Sequence, residues 1–248
     1  MSDKILVIFF YYNRPELVKY GLESLKEHNY DNWEVAFIDD GSEIPADNTI
    51  KEMFGEPNKF TIYKTNDTAE IKMKRNGING SMMGKYAHDA ILKSDADYVI
   101  TLCDDDALYQ GYFKNLVEFF RNNPDKNYVY SHIKPYDPTV EPPREPLALK
   151  PHSLNKTGKI HPFYALDMSQ VSFRRRAYVD DGISFPYPYT VNLDAEMFLV
   201  MQKHWGDVTF SGFIGQYKAI YTDSLSHRMG QVLGKMQEPS YIFNVKVK

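Results

Sequence analysis

A single cysteine, Cys103, occurs in 248 residues, so no internal disulfide can form, and a reducing compartment fits. Nowhere does an apolar run approach the roughly 20 residues that span a bilayer as a helix. No signal peptide is expected, because the N-terminus enters an apolar strand after only four residues. These absences predict a cytoplasmic protein without a transmembrane segment. Excess basic charge is also missing: the net charge of −4 gives no global drive towards nucleic acid, leaving only local basic patches for such contacts. Internal repeats and low-complexity tails are absent.

The length suits one large α/β domain, read as a nucleotide-binding half over 1–125 and an acceptor-binding, catalytic half over 126–248. Aromatic residues reach 15%, an enrichment that fits stacking on sugars or bases and equally fits a core. The most informative stretch is Tyr98 to Tyr109, YVITLCDDDALY, where an apolar run ends in three consecutive carboxylates. Asp104, Asp105 and Asp106 repel one another at neutral pH, and Tyr98, Val99, Ile100 and Leu102 before them read as a buried strand. Carboxylates at a strand's carboxyl end point to a divalent cation, Mn2+ or Mg2+, beside a substrate phosphate. An acidic turn facing water is the bland alternative.

Lys4 to Phe10 is a continuous apolar run broken by Tyr11-Tyr12-Asn13-Arg14-Pro15, a strand and then a loop. From Pro15, Leu17, Val18, Leu22 and Leu25 recur at helical spacing. Trp33 to Ile38 gives a second strand, closed by Asp39-Asp40-Gly41-Ser42. Strand, helix and strand with short joins form a parallel βαβ unit. A short helix is expected over Ile50 to Phe54, a strand over Phe60 to Tyr63, and helices over Tyr86 to Leu92 and Tyr112 to Phe120 around the aspartate strand. In the second half, strands are expected over Tyr128 to His132 and Ser169 to Phe173. The six prolines between Pro135 and Pro151 mark a long loop. Asp194 to His204 reads as an amphipathic helix with apolar Met197, Phe198, Val200 and Met201. Ligands of open α/β sheets bind at the strands' carboxyl ends, so both acidic clusters should face one crevice.

On these motifs the chain resembles glycosyltransferases of the GT-A fold, family 2, from Lys4 to about Gly206. FFYYNRPELVKYGLESL resembles the family's first strand, Tyr-Asn loop and helix, and AFIDDGS its nucleotide motif, VDDGS. VITLCDDDALYQGY resembles the strand and metal motif LDADDxLxPGY, with Cys103 in place of the first aspartate. SQVSFRRRAYVDDGISF resembles the acceptor-side strand and Arg-containing helix start. LDAEMFLVMQKHWGDVTF resembles the catalytic helix, EDxxLxxRxxxxG, with Ala195-Glu196 for the acidic pair and Gln202 for the arginine.

The resemblance implies a mostly parallel, Rossmann-like sheet and a metal-dependent, inverting transferase using a UDP-sugar. Asp40 would bond the base, Asp39 would shape the pocket, and Tyr12 and Asn13 would line it with Arg14 beside them. Within the triplet, Asp104 and Asp105 would face the donor, while Asp106 and Asp104, joined by His227, would hold the metal. If Leu199 and Gly206 keep their places in the helix motif, Glu196 is the catalytic base, with Asp194 the competing candidate. Lys72, Lys74, Arg75 and Lys85 are candidates to cradle the diphosphate. Arg174, with Arg175 and Arg176, could meet an anionic acceptor or phosphates bidentately, and Trp205 could stack on a sugar. Solvated or packing roles stand against each of these.

The acceptor is expected to be a glycan hydroxyl. A second reading is a phage-type enzyme, in the host cytoplasm, acting on hydroxymethylated DNA bases; the net negative charge does not favour it. A phosphatase starting from Asp104-x-Asp106 lacks the usual Gly-Thr pair, and a nucleotidyltransferase lacks its Gly-rich basic loop after Phe10. A non-catalytic sugar- or nucleotide-binding module is the rival of another class, opposed by the cost of burying unused carboxylates. Oligomeric state is left open.

Overall fold

The computed structural model describes residues 3–56, 58–67, 71, 82–136, 166–185, 187 and 193–219. Its strands are β1 (Ile5–Tyr11), β2 (Trp33–Asp39), β3 (Phe60–Lys64), β4 (Tyr98–Cys103), β5 (Ala107–Leu108), β6 (Tyr128–Tyr136), β7 (Val171–Arg174) and β8 (Thr209–Ala219). The helices are α1 (Val18–Lys26), α2 (Asp47–Phe54), α3 (Met83–Lys93), α4 (Tyr112–Asn122), α5 (Arg175–Asp180) and α6 (Leu193–Trp205), and a 3-10 turn spans Met168–Gln170. All strands join one sheet in the order β3-β2-β1-β4-β7-β6-β8-β5.

β3, β2, β1 and β4 run parallel, as the βαβ pattern requires. Beyond β4 the sheet is mixed: β7 is antiparallel to β4 and β6, and β8 is parallel to β6 but antiparallel to β5. The expected mostly parallel sheet is found, with the antiparallel pairs confined to the strands beyond β4. Helices cover both faces, which is why β1 reads as an unbroken apolar run and is buried along its whole length. On one face Leu6, Ile8, Phe10 and Val99 pack against Ala87 and Ile91 of α3, Tyr178 of α5, and Met197, Phe198 and Met201 of α6. On the other, Val7, Phe9, Phe37 and Leu102 pack against Leu22 of α1, Ile50 of α2, and Phe113 and Leu116 of α4. Among the described residues no helix is long and apolar enough to cross a membrane.

α1 is wedged beneath the acidic turn after β4. Its Ser24 Oγ accepts a hydrogen bond from Leu108 N at 2.9 Å. A Cβ at Gly21 would lie 2.9 Å from both the Asp106 carbonyl oxygen and the Phe9 ring. Glycine is therefore what lets this helix approach the turn. Gly21→Ala is expected to overpack the contact and cost about 1–3 kcal/mol. For a domain of this size that lowers the melting temperature by roughly 2–10 °C, readable by calorimetry; an unchanged value would show that α1 can shift away without penalty.

Candidate active site

β1 ends between the two acidic clusters because Tyr11 pairs with Asp39 on one side and Phe10 with Cys103 on the other. The next residues, Asp40 and Asp104, consequently flank the Tyr12-Asn13-Arg14 loop. Asp40 N donates to Tyr11 O at 3.0 Å, and Tyr12 N donates to Asp104 Oδ2 at 2.8 Å. Asn13 is the non-glycine residue with positive φ among those described, at 52°, a conformation that asparagine tolerates better than most. Its backbone N donates to Ser42 Oγ at 3.0 Å, and its Oδ1 accepts from Glu43 N at 2.8 Å and Ile44 N at 3.1 Å. Tyr11 OH adds a bond to Ile44 O at 2.5 Å. Burial, reinforced by the Asp39 and Asp104 charges, pushes that phenol up to about 12, so it remains a donor. Together these bonds clip the loop after β2 onto the loop after β1.

Beside the clip lies a polar cluster. Gly41 has φ +75°, and a Cβ there would sit 2.4 Å from Asp67 O and 3.2 Å from Thr65 Oγ1. Asp39, Asp40 and Thr65 are buried. The Asp39 carboxylate accepts from Ser42 N at 2.8 Å, while the Thr65 hydroxyl has no partner among the described residues. An orphaned buried hydroxyl costs about 1–3 kcal/mol and is commonly resolved by a ligand or water. Tyr12, in the adjoining loop, is 42% exposed.

The triplet itself is buried, and two protein cations meet it. Arg14 Nη1 bridges Asp104 Oδ1 at 2.8 Å and Asp105 Oδ2 at 2.9 Å. Burial still raises the Asp104 carboxyl to about 6, with the Arg14 charge opposing and the Asp105 charge adding to the rise. Asp106 is fully buried; its Oδ2 accepts from Lys218 Nζ at 3.0 Å and its Oδ1 from Ala219 N at 3.2 Å. Lys218 Nζ also lies 3.3 Å from Asp167 Oδ2. Burial disfavours the ammonium of Lys218, yet the Asp106 and Asp167 charges outweigh it and hold its pKa well above the ordinary lysine value. Burial also pushes the Cys103 thiol up, so it stays protonated.

These bonds decide how the residues fit a divalent cation. Both oxygens of Asp104 and both of Asp106 take protein donors. A cation at either residue would share these oxygens with the protein donors, which leaves each oxygen one lone pair. Asp105 Oδ2 accepts from the same Arg14 nitrogen that meets Asp104. One carboxylate suffices where substrate phosphates complete the shell. In keeping with this, no group of three or more His, Cys, Asp or Glu side chains among the described residues forms a ready cation cage.

The structure sorts the remaining candidates by sheet end. Arg174 pairs with Tyr98 at the start of β4, the end opposite the triplet. Its guanidinium donates to Phe120 O at 2.6 Å, Lys126 O at 2.8 Å and Asn123 O at 3.2 Å, closing the carboxyl end of α4. Arg175 likewise donates to Ile91 O and Leu92 O at the end of α3, and Arg176 pairs with Asp180. The acceptor role expected for Arg174 is thus corrected: it is a helix-closing residue. Trp205 packs on Tyr128 and Phe173 and donates to Asp181 Oδ2 at 2.6 Å, also at that far end, so its sugar-stacking role is corrected to packing. Lys85, in the first turn of α3, pairs with Asp89 at 2.5 Å. Lys72, Lys74, Arg75 and His227 lie outside the described residues.

Asp194 and Glu196 lie in the first turn of α6, 11 and 9 residues ahead of Trp205 and so about 14–17 Å along the helix from the far end. At 100° per residue Asp194 shares the face of buried Met197, Phe198 and Met201, which points to the sheet. Glu196 falls on the side of Leu199, which is 39% exposed. Met197, three residues after Asp194, is buried, whereas Leu199, three after Glu196, is not.

Lys218, Asp167 and Thr65 were not legible as site residues. Asp167-x-x-Gln170 caps the 3-10 turn as a capping box with both halves formed, where the sequence predicts only a strand from Ser169. Nothing in the sequence linked it to the triplet.

The family model for glycosyl transferase family 2 matches residues 6–181, most of the chain. The chain belongs to this family, and its fold is GT-A. Protein CgeD of Bacillus subtilis (strain 168) is 25% identical over 135 residues, which are 54% of this chain and 30% of CgeD. Among solved structures, residues 1–349 of S. aureus TarS superpose with a TM-score of 0.65 and 18% identity, over 87% of this chain and 60% of that one. The same TarS segment in complex with UDP-GlcNAc gives a TM-score of 0.64 at 18% identity, over 88% and 59% of the two chains. Mannosyltransferase PcManGT from Pyrobaculum calidifontis, in complex with GDP-Man and Mn2+, gives 0.59 at 13% identity, over 90% and 59%. The chain thus spans less than a third of CgeD and about three-fifths of these structures.

Proposed function

We propose that the chain transfers a sugar from a nucleotide-diphosphate sugar, with UDP as the favoured nucleotide, to a glycan hydroxyl with inversion. The observation that carries this reading is the register of β2, β1 and β4, which sets Asp40 and the Asp104–Asp106 turn on either side of a single loop. The base lies at the cluster of Asp40, Thr65 and Tyr12: the carboxylate accepts from a ring N–H, the hydroxyl gains the partner it lacks, and Tyr12 covers the base. The diphosphate lies towards Asp105. Asp105 would hold a Mn2+ or Mg2+ ion, which would neutralise charge on the departing diphosphate.

Asp194 serves as the base, ahead of Glu196, because it lies on the sheet side of α6. It takes the proton of the acceptor hydroxyl as that oxygen bonds to the anomeric carbon and the bond from this carbon to the diphosphate oxygen breaks. Inversion requires the base and the leaving group to flank the sugar, and α6 and the triplet are separate elements. TarS binding UDP-GlcNAc supports the choice of UDP. The three arginines that favoured an anionic or DNA acceptor are bonded elsewhere in the protein, which leaves the neutral glycan as the better acceptor. The lone cysteine and the lack of a described membrane-crossing helix support a cytoplasmic site of action.

Thermal shift with a panel of nucleotides, with and without Mn2+, tests the reading: UDP plus Mn2+ should raise the melting temperature most. Asp40→Ala should weaken UDP binding 10- to 100-fold by calorimetry, from loss of a bond to a charged group worth about 1.5–3 kcal/mol. Equal affinity in this variant would remove Asp40 from the base site, and failure of every nucleotide to bind would remove the proposed activity.

A further inference from the structure

Lys218 stands outside every motif that the family resemblance supplies, yet it joins three segments distant in sequence. Its Nζ lies 3.0 Å from Asp106 Oδ2 on the turn after β4 and 3.3 Å from Asp167 Oδ2 ahead of β7, while Lys218 itself is on β8. Each carboxylate is held from a second side as well. Asp106 Oδ1 accepts from Ala219 N, and Asp167 Oδ1 accepts from Ser169 N at 3.0 Å and Ser169 Oγ at 2.6 Å. The 3-10 turn capped in this way is bonded to β4 through Thr101 Oγ1 and Met168 O at 2.5 Å, and Thr101 O accepts from Gln216 Nε2 of β8 at 2.6 Å. Bonds therefore close a ring through β4, the 3-10 turn and β8, with the ammonium at its charged corner. Asp106 N in turn donates to Cys103 O at 3.1 Å, so the orientation of Asp106 sets the turn that displays Asp105.

We propose that Lys218 is a positioning residue: by gripping Asp106 and Asp167 it orients the Cys103–Asp106 turn so that Asp105 faces the donor diphosphate. This rests on the proposed donor site. A lysine suits the task because its charge compensates two carboxylates drawn from different halves of the chain. A neutral side chain would leave Asp106, wholly buried, facing the charges of Asp105 and Asp167 without an ammonium. The Asp167 limb ties the donor turn to β7, the strand leading into the acceptor half, and so couples the two halves of the site.

The test compares Lys218→Met, Lys218→Arg and the milder Asp167→Asn with the unaltered chain. Without any nucleotide, hydrogen exchange should show at least tenfold faster exchange at Asp106 N and its neighbours in Lys218→Met, with α2 and β3 unchanged. With UDP, calorimetry should show at least tenfold weaker Mn2+ binding to the UDP complex, while UDP affinity in EDTA changes less than threefold. Lys218→Arg should recover most of the loss, and Asp167→Asn should show a partial loss of Mn2+ binding. Should Lys218→Met fail to fold, Asp167→Asn carries both measurements. A lower melting temperature with unaltered local exchange and unaltered Mn2+ binding would overturn the proposal and leave Lys218 a structural residue. The exchange arm needs no donor, so if the unaltered chain binds no nucleotide, the functional reading fails while local exchange still decides for or against Lys218.

Discussion

Asp105→Asn is expected to lower turnover by two to three orders of magnitude at an almost unchanged melting temperature. Asparagine keeps the shape and an oxygen for Arg14 but removes the negative charge offered to the cation, and Arg14 retains Asp104 at 2.8 Å. Stabilising charge on a leaving group is among the largest single contributions a site makes, of order 10²–10³ in rate for one lost partner. Its neighbour should behave differently. Asp106→Asn leaves Lys218 with Asp167 alone and places a neutral amide where a buried carboxylate met an ammonium, at a cost of roughly 3 kcal/mol. The pair of variants separates two roles that adjacent, identical side chains play: one offered to substrate, one spent on the fold. Kinetics alongside calorimetry would read both, and an Asp105→Asn enzyme of full activity would sink the assignment.

Asp194→Asn is expected to lower kcat by two to four orders of magnitude while the donor KM moves less than threefold. Glu196→Gln should alter kcat by only a few-fold. The distinction rests on helix periodicity: two residues apart means about 200° around the axis, so the two carboxylates cannot both face the crevice. Exposed Leu199 places Glu196 on the outer side, and buried Met197 and Met201 place Asp194 on the inner side. A loss confined to Glu196→Gln would reverse the order of the two.

The clearest misreadings share one origin. Arg174 and Trp205 have the chemistry of a binding site, and on sequence grounds their proximity to the family's acceptor and catalytic segments made that role reasonable. Both lie at the amino end of β4, where one closes a helix and the other fills an aromatic cluster. Residue type and motif order carry no information about which end of an antiparallel strand a side chain reaches. β7 runs against β4, so Arg174, the last residue of β7, arrives beside Tyr98, the first of β4.

By itself the sequence determined that this chain builds an α/β sheet with acidic strand ends. Apolar runs of strand length, helical spacing between them and carboxylates where the runs stop follow from local physics: buried strands exclude charge, so charge collects where they end. Which partner each carboxylate of the triplet meets was decided only by tertiary structure. Asp104, Asp105 and Asp106 are chemically identical, and their separation into roles comes from partners 90 and 112 residues away, Arg14 and Lys218. Those partners are set by strand order across the sheet and by an ionic compensation that no local window of sequence contains.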